Sequence, residues 1–147
     1  MSETKGTIIV VDDDDSIRRA LTEILRNEGY EIAAATDGTS ALTLTSRRTY
    51  DLMFLDIMMP GYNGLEVITL MQAARPDMPI VAVSALSDQE IINQALLLGA
   101  REYVKKPFSP KQIAEIADRF VLGANREEPA PQTDNAENSP PVDNMMS

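Results

Sequence analysis

Five short runs of β-branched and apolar residues alternate with five stretches of helical spacing, and no other feature of this chain restricts its fold as much. Thr7–Val11 (TIIVV) is unbroken by polar side chains, the pattern of a strand buried on both faces. It breaks off into four aspartates, Asp12 to Asp15. Ile17, Ala20, Leu21, Ile24 and Leu25 then fall on one helical face, with Gly29 placed to cap that helix. Glu31–Ala35 reads as a weaker second strand, and Gly38–Arg48 as a helix rich in Thr and Ser. Leu52–Leu55 is the third strand, followed by Asp56 and a Pro60-Gly61 turn. Gly64–Ala74 keeps helical spacing through Leu65, Ile68 and Met71 until Pro76 stops it. Ile80–Val83 is a fourth strand running into Ser84, and Asp88–Leu98 a fourth helix closed by Gly99. Glu102–Val104 is the fifth strand, and Pro110–Leu122 the last helix, with proline in its favoured first turn.

Such alternation predicts a parallel sheet covered by helices on both faces. Right-handed crossovers leave a doubly wound open α/β sheet as the natural solution. A chain of 147 residues, 44 % of them hydrophobic, supplies one core and one domain. Residues 1–6 read as an N-terminal extension and 7–122 as the folded unit. Residues 123–147 hold Pro129, Pro131, Pro140 and Pro141, several Asn and acids, and little to bury. A disordered acidic tail is expected there.

Composition excludes several chemistries. With no cysteine there is no disulfide framework and no thiolate metal site. With no histidine, the usual zinc sites and the Ser-His or Cys-His nucleophile pairs are excluded as well. The net charge is −10; the tail accounts for −4 of it and the body for −6, so direct nucleic-acid binding is not expected. The opening MSETKGT does not follow the pattern of a secretory signal. No run approaches the roughly 18 apolar residues that span a bilayer. A soluble, cytoplasmic chain without membrane contact is the expectation.

Open α/β sheets bind ligands outside the carboxyl ends of their strands. Asp12 and Asp13 follow the first strand, Asp56 the third, Ser84 the fourth, and Lys106 lies two residues past the fifth. Three crowded carboxylates repel one another unless a cation neutralises them. Hard oxygen donors without histidine point to Mg²⁺. Lys106 and Ser84 are suited to hold phosphoryl oxygens, by charge and by hydrogen bond. Phosphoryl transfer needs these parts, since it depends on positioning and charge stabilisation.

VVDD at 10–13, LDIMMPGYNG at 55–64, Ser84-Ala85 and YVKKPF at 103–108 together resemble the receiver domains of response regulators, the CheY-like superfamily. The likeness runs over about residues 6–122. It implies a flavodoxin-like (βα)5 fold with a five-stranded parallel sheet of order 2-1-3-4-5. By the resemblance, Asp56 is the phosphoacceptor, charged from a sensor histidine kinase or a histidine phosphotransfer protein. It also implies that Asp12, Asp13, Asp56 and the Met58 backbone carbonyl surround Mg²⁺. Ser84 matches the switch hydroxyl, Tyr103 the switch aromatic and Lys106 the family lysine, with a cis Lys106–Pro107 bond. Such a protein is not an enzyme in the ordinary sense: it takes its own phosphoryl group and loses it slowly. The apolar Met58 and Leu86, at the two positions that tune lifetime in the family, cannot orient a water, and slow self-dephosphorylation is expected.

Signalling in the family runs through the fourth helix, fifth strand and fifth helix. Ile91, Ala95 and Leu98, widened by Ile92, Leu96 and Leu97, give that fourth helix more apolar surface than one core face needs. On phosphorylation Ser84 is expected to move toward the phosphoryl oxygens and Tyr103 to turn inward. No second core or DNA-binding helix pattern is visible after residue 122, so a stand-alone receiver is expected. Output then goes through a protein partner, phosphorylation-dependent self-association, or competition for phosphoryl groups as a phosphate sink. The alternatives are a module of a longer regulator and a phosphorelay intermediate. A phosphohydrolase of the haloacid dehalogenase type shares an Asp nucleophile, and Asp12-Asp13-Asp14 formally contains its DxD. That class has no need of Asp56, Ser84 and the KPF turn.

Overall fold

The computed structural model describes residues 4–59 and 62–123. Five strands, β1 (Thr7–Val11), β2 (Glu31–Ala35), β3 (Leu52–Leu55), β4 (Ile80–Ser84) and β5 (Glu102–Lys105), form one sheet of order β2-β1-β3-β4-β5. Every pairing in it is parallel. The helices are α1 (Asp15–Asn27), α2 (Gly38–Arg47), α3 (Gly64–Ala74), α4 (Gln89–Leu98) and α5 (Pro110–Ala117).

The pleat sorts side chains onto two cores, because alternate residues of a strand face opposite ways. Ile9, Val11, Met53, Leu55, Ile80 and Ala82 pack with Ala41, Val67, Ile68, Met71 and Ala95 from α2, α3 and α4. Ile8, Val10, Leu52, Phe54, Val81 and Val83 pack on the other face with Leu21, Leu25, Ile113 and Ile116 from α1 and α5. The uninterrupted hydrophobic strands of the sequence are thus a consequence of helices on both sides.

Helix ends follow local chemistry. Asp14 caps α1 by accepting from the Ser16 and Ile17 amides at 2.8 and 3.2 Å. At the other end Gly29 takes φ +103°, its N–H bonds to the Arg26 carbonyl, and Tyr30 N–H bonds to that of Leu25. This is the left-handed exit that glycine makes cheaply. Asp37, Asn63, Asp88 and Ser109 cap the remaining helices through their side chains.

Several boundaries differ from the sequence reading. Ser84 is the last residue of β4, not the residue after it, and β5 extends to Lys105. The last helix changes character at Asp118, where Asp118–Leu122 form a π-helical turn. Met58–Met59 pair antiparallel with Tyr62–Asn63, a small hairpin that the sequence reading had as a turn alone. Its Pro60-Gly61 tip lies outside the described residues, as does the tail from residue 124; Gly123 continues the helix. Residues 4–6 are tied to the folded unit: Lys5 N–H bonds to the Gly29 carbonyl, and Glu31 N–H to that of Gly6.

Candidate phosphoryl-acceptor site

The site is built at the carboxyl ends of the strands, and sheet hydrogen bonds fix its members before any side chain takes part. Asp12 N–H extends the β1–β2 ladder to the Ala35 carbonyl at 3.1 Å. Asp56 N–H bonds to the Val11 carbonyl and Lys106 N–H to the Ser84 carbonyl, both at 2.9 Å. Carboxylate oxygens of Asp12, Asp13 and Asp56 lie within 4.8 Å of one another. Asp12 and Asp56 are buried, while Asp13 is exposed.

Lys106 closes the cluster. Its Nζ donates to Asp12 Oδ2 at 3.0 Å and to Asp56 Oδ2 at 3.3 Å. One ammonium against three carboxylates leaves excess negative charge in a largely dehydrated place, which suits a hard divalent cation. Burial pushes the Asp56 carboxyl above its usual range. The Met58 N–H at 3.0 Å from Oδ1 opposes that shift, nearby Asp12 adds to it, and Lys106 opposes it. Burial works against the Lys106 charge, but Asp12 and Asp56 outweigh it and raise the ammonium above its ordinary value.

Ser84 is tied to the cluster by the Lys106 N–H on its carbonyl, and Tyr103 is linked to Ser84 through Leu86. Ser84 is fully buried, and its Oγ accepts from the Leu86 N–H at 3.2 Å. Tyr103, half-buried on β5, donates its hydroxyl to the Leu86 carbonyl at 2.9 Å. The Lys106–Pro107 peptide is cis. Met58 stands beside the site with its side chain exposed.

Two contacts escaped the sequence reading. Arg18 Nη1 donates to the Asp12 carbonyl at 2.8 Å and its other arm pairs with Asp15, bracing the loop that carries the acids. Leu86 joins Ser84 to Tyr103 through its backbone, which no side-chain pattern could announce. On α4 the buried residues are Ile92 and Ala95, whereas Leu97 is 86 % exposed and Leu96 and Leu98 are open.

The family model for the response regulator receiver domain matches residues 8–118. This chain belongs to that family. The receiver is 40 % identical over 130 residues to the DNA-binding response regulator MtrA of Mycolicibacterium smegmatis, covering 88 % of this chain and 56 % of MtrA. It is 38 % identical to the alginate biosynthesis transcriptional regulatory protein AlgB of Pseudomonas syringae, covering 76 % of this chain and 25 % of AlgB. The receiver thus spans about half the length, or less, of these curated relatives. Among solved structures, a CheY-like receiver domain protein from Methanospirillum hungatei superposes with a TM-score of 0.79 at 28 % identity, over 86 % of this chain and all of that one. The receiver domain of NtrX from Brucella abortus gives 0.75 at 33 % identity, over 78 % of this chain and 98 % of that one. The receiver is therefore a phosphoryl-accepting component of two-component signalling with a flavodoxin-like fold. Among the described residues no helix is long and apolar enough to cross a membrane.

Proposed function

We propose that Asp56 is the residue phosphorylated, receiving its group from a phosphohistidine on a sensor kinase or phosphotransfer protein. The observation that carries this reading is the convergence of Asp12, Asp13 and Asp56 within 4.8 Å, with Lys106 bridging two of them. An Asp56 oxygen attacks phosphorus, the phosphorus–nitrogen bond breaks, and the released imidazole takes a proton. Asp12, Asp13, Asp56 and the Met58 carbonyl would hold Mg²⁺, which when bound offsets the charge of the incoming phosphoryl group. Lys106 holds one phosphoryl oxygen and Ser84 donates to another, as stabilisers of charge placed in advance.

Phosphorylation adds close to two negative charges. Ser84 then leaves the Leu86 amide for a phosphoryl oxygen, Tyr103 turns inward, and the α4–β5–α5 surface changes for its partner. The open Leu96, Leu97 and Leu98 support that surface as the place of contact. Decay is slow because neither Met58 nor Leu86 offers a polar side chain to an attacking water. A cytoplasmic location follows from a kinase-linked role. Incubation with acetyl phosphate and Mg²⁺ should label Asp56, and Asp56→Asn should abolish both labelling and beryllofluoride binding. Equal labelling of that variant would sink the assignment.

A second reading, supported by the greater length of the relatives, makes this unit the receiving module of a longer regulator. Their DNA-binding function, where named, then belongs to segments beyond the match, in keeping with the acidic charge of this one.

A further inference from the structure

Met58 and Met59 are neighbours in sequence with opposite environments: Met58 is 57 % exposed and Met59 only 5 %. Met53, Met71 and Met78 are buried as well. Among the described residues, then, Met58 is the one methionine open to solvent. Its N–H is bonded to Asp56 Oδ1 at 3.0 Å, which roots that side chain at the acceptor. It also lines a cavity of about 300 Å³ with Ile57, Met59, Asn63, Leu65, Leu86 and Ile91. Apart from Asn63, the side chains of that wall are apolar.

We propose that Met58 is an oxidation site, and that its sulfoxide shortens the life of the phosphoryl group on Asp56. A peroxide transfers one oxygen atom to the sulfur. The sulfur–oxygen bond forms as the oxygen–oxygen bond breaks, sulfur gives up two electrons, and hydrogen peroxide leaves as water. The thioether is a feeble acceptor, whereas the sulfoxide is polar and can hold a water at the rim of the site. The side chain that starves the acyl phosphate of water becomes one that supplies it. Reduction of the sulfoxide by a methionine sulfoxide reductase restores the original state. The selectivity of oxidation stands on exposure alone; its effect on lifetime rests on Asp56 being the acceptor.

The test uses the full chain treated with dilute hydrogen peroxide. Peptide fragmentation assigns oxygen to individual methionines, and acyl phosphate loaded from acetyl phosphate is then followed over time. Met58 should oxidise well ahead of Met53, Met59, Met71 and Met78, and the oxidised protein should lose its label several-fold faster. Met58→Gln should show the fast decay without peroxide. Met58→Leu, which keeps the backbone and an apolar side chain, should decay at one rate with or without it. Oxidation of Met58 no faster than Met59, or equal half-lives before and after oxidation, would overturn the proposal. So would peroxide shortening the half-life in Met58→Leu as well. Absence of label on Asp56 in untreated protein would instead refute the acceptor assignment, and the lifetime effect with it.

Discussion

Ser84 and Tyr103 are tied to the same residue: Leu86 gives its N–H to Ser84 Oγ and its carbonyl to the Tyr103 hydroxyl. Neither side chain needs to touch the other for them to share a fate. On the proposed mechanism, Ser84 turning to a phosphoryl oxygen would release the Leu86 amide and leave Leu86 held by the Tyr103 hydroxyl alone of these two bonds.

A double-mutant cycle measures that link. Tyr103→Phe should cost about 1 kcal/mol for its lost hydrogen bond. Combined with Ser84→Ala, the pair should be non-additive by roughly 0.5 kcal/mol or more in urea unfolding. Ser84→Ala should still accept phosphate while its partner response weakens. Strict additivity together with an undiminished response would mean that Leu86 links nothing.

Lys106 is the internal counterion of the site. Lys106→Met leaves two buried carboxylates facing each other and should destabilise the metal-free protein by about 3 kcal/mol at neutral pH. Saturating Mg²⁺ should recover part of the loss, because a cation returns to the cluster. Denaturant midpoints with and without Mg²⁺ read both effects, and an unchanged midpoint would contradict the geometry.

Mg²⁺ should raise the melting temperature of the native receiver in proportion to its binding. Asp13→Asn should sharply reduce the rise and Asp12→Asn should remove it. Arg18→Ala frees the Asp12 carbonyl and should weaken Mg²⁺ binding several-fold by calorimetry, with Arg18→Lys recovering part. A calorimetric constant that is the same in Arg18→Ala would show that the brace does not position the acids.

At the far end of the sheet, burial holds the Tyr30 phenol protonated above its ordinary range, aided by its 2.6 Å bond to Asp118 and by the charges of Asp118, Glu28 and Asp51. The folded-state value is raised, so this stabilisation is complete below the unfolded tyrosine value of about 10. It is lost as pH climbs from there toward the folded value. Tyr30→Phe should flatten the fall in stability measured above about pH 10. If the two proteins lose stability alike there, the bond to Asp118 is not holding that proton.

Much of this was legible in the residues because the fold repeats one physical demand. Strands such as TIIVV and LMFL must be apolar on both faces, and glycines such as Gly29 and Gly99 announce where helices stop. The acids, Ser84 and Lys106 were readable because a parallel sheet gathers its strand ends. What stayed hidden depends on backbone geometry or long reach. The link through Leu86 uses that residue's main-chain atoms, Arg18 reaches six residues back to a carbonyl, and the hairpin that contains Met58 consists of two pairs. On α4, helical spacing alone did not separate the buried Ile92 and Ala95 from the open Leu96, Leu97 and Leu98. Several of their angular positions fall near the edge of the core face.

Lys5 reaches across to Asp118 at 3.2 Å, and Gly6 sits so close to Val121 that a Cβ on it would lie 2.8 Å from that side chain. The first and last of the described stretches therefore lie side by side, at the pole where the strands begin. A fold joined directly to either of these stretches would sit one sheet-length from the carboxylates. Such a layout makes the unit portable: it can be placed ahead of or behind a neighbour without redesigning the chemistry at its other pole.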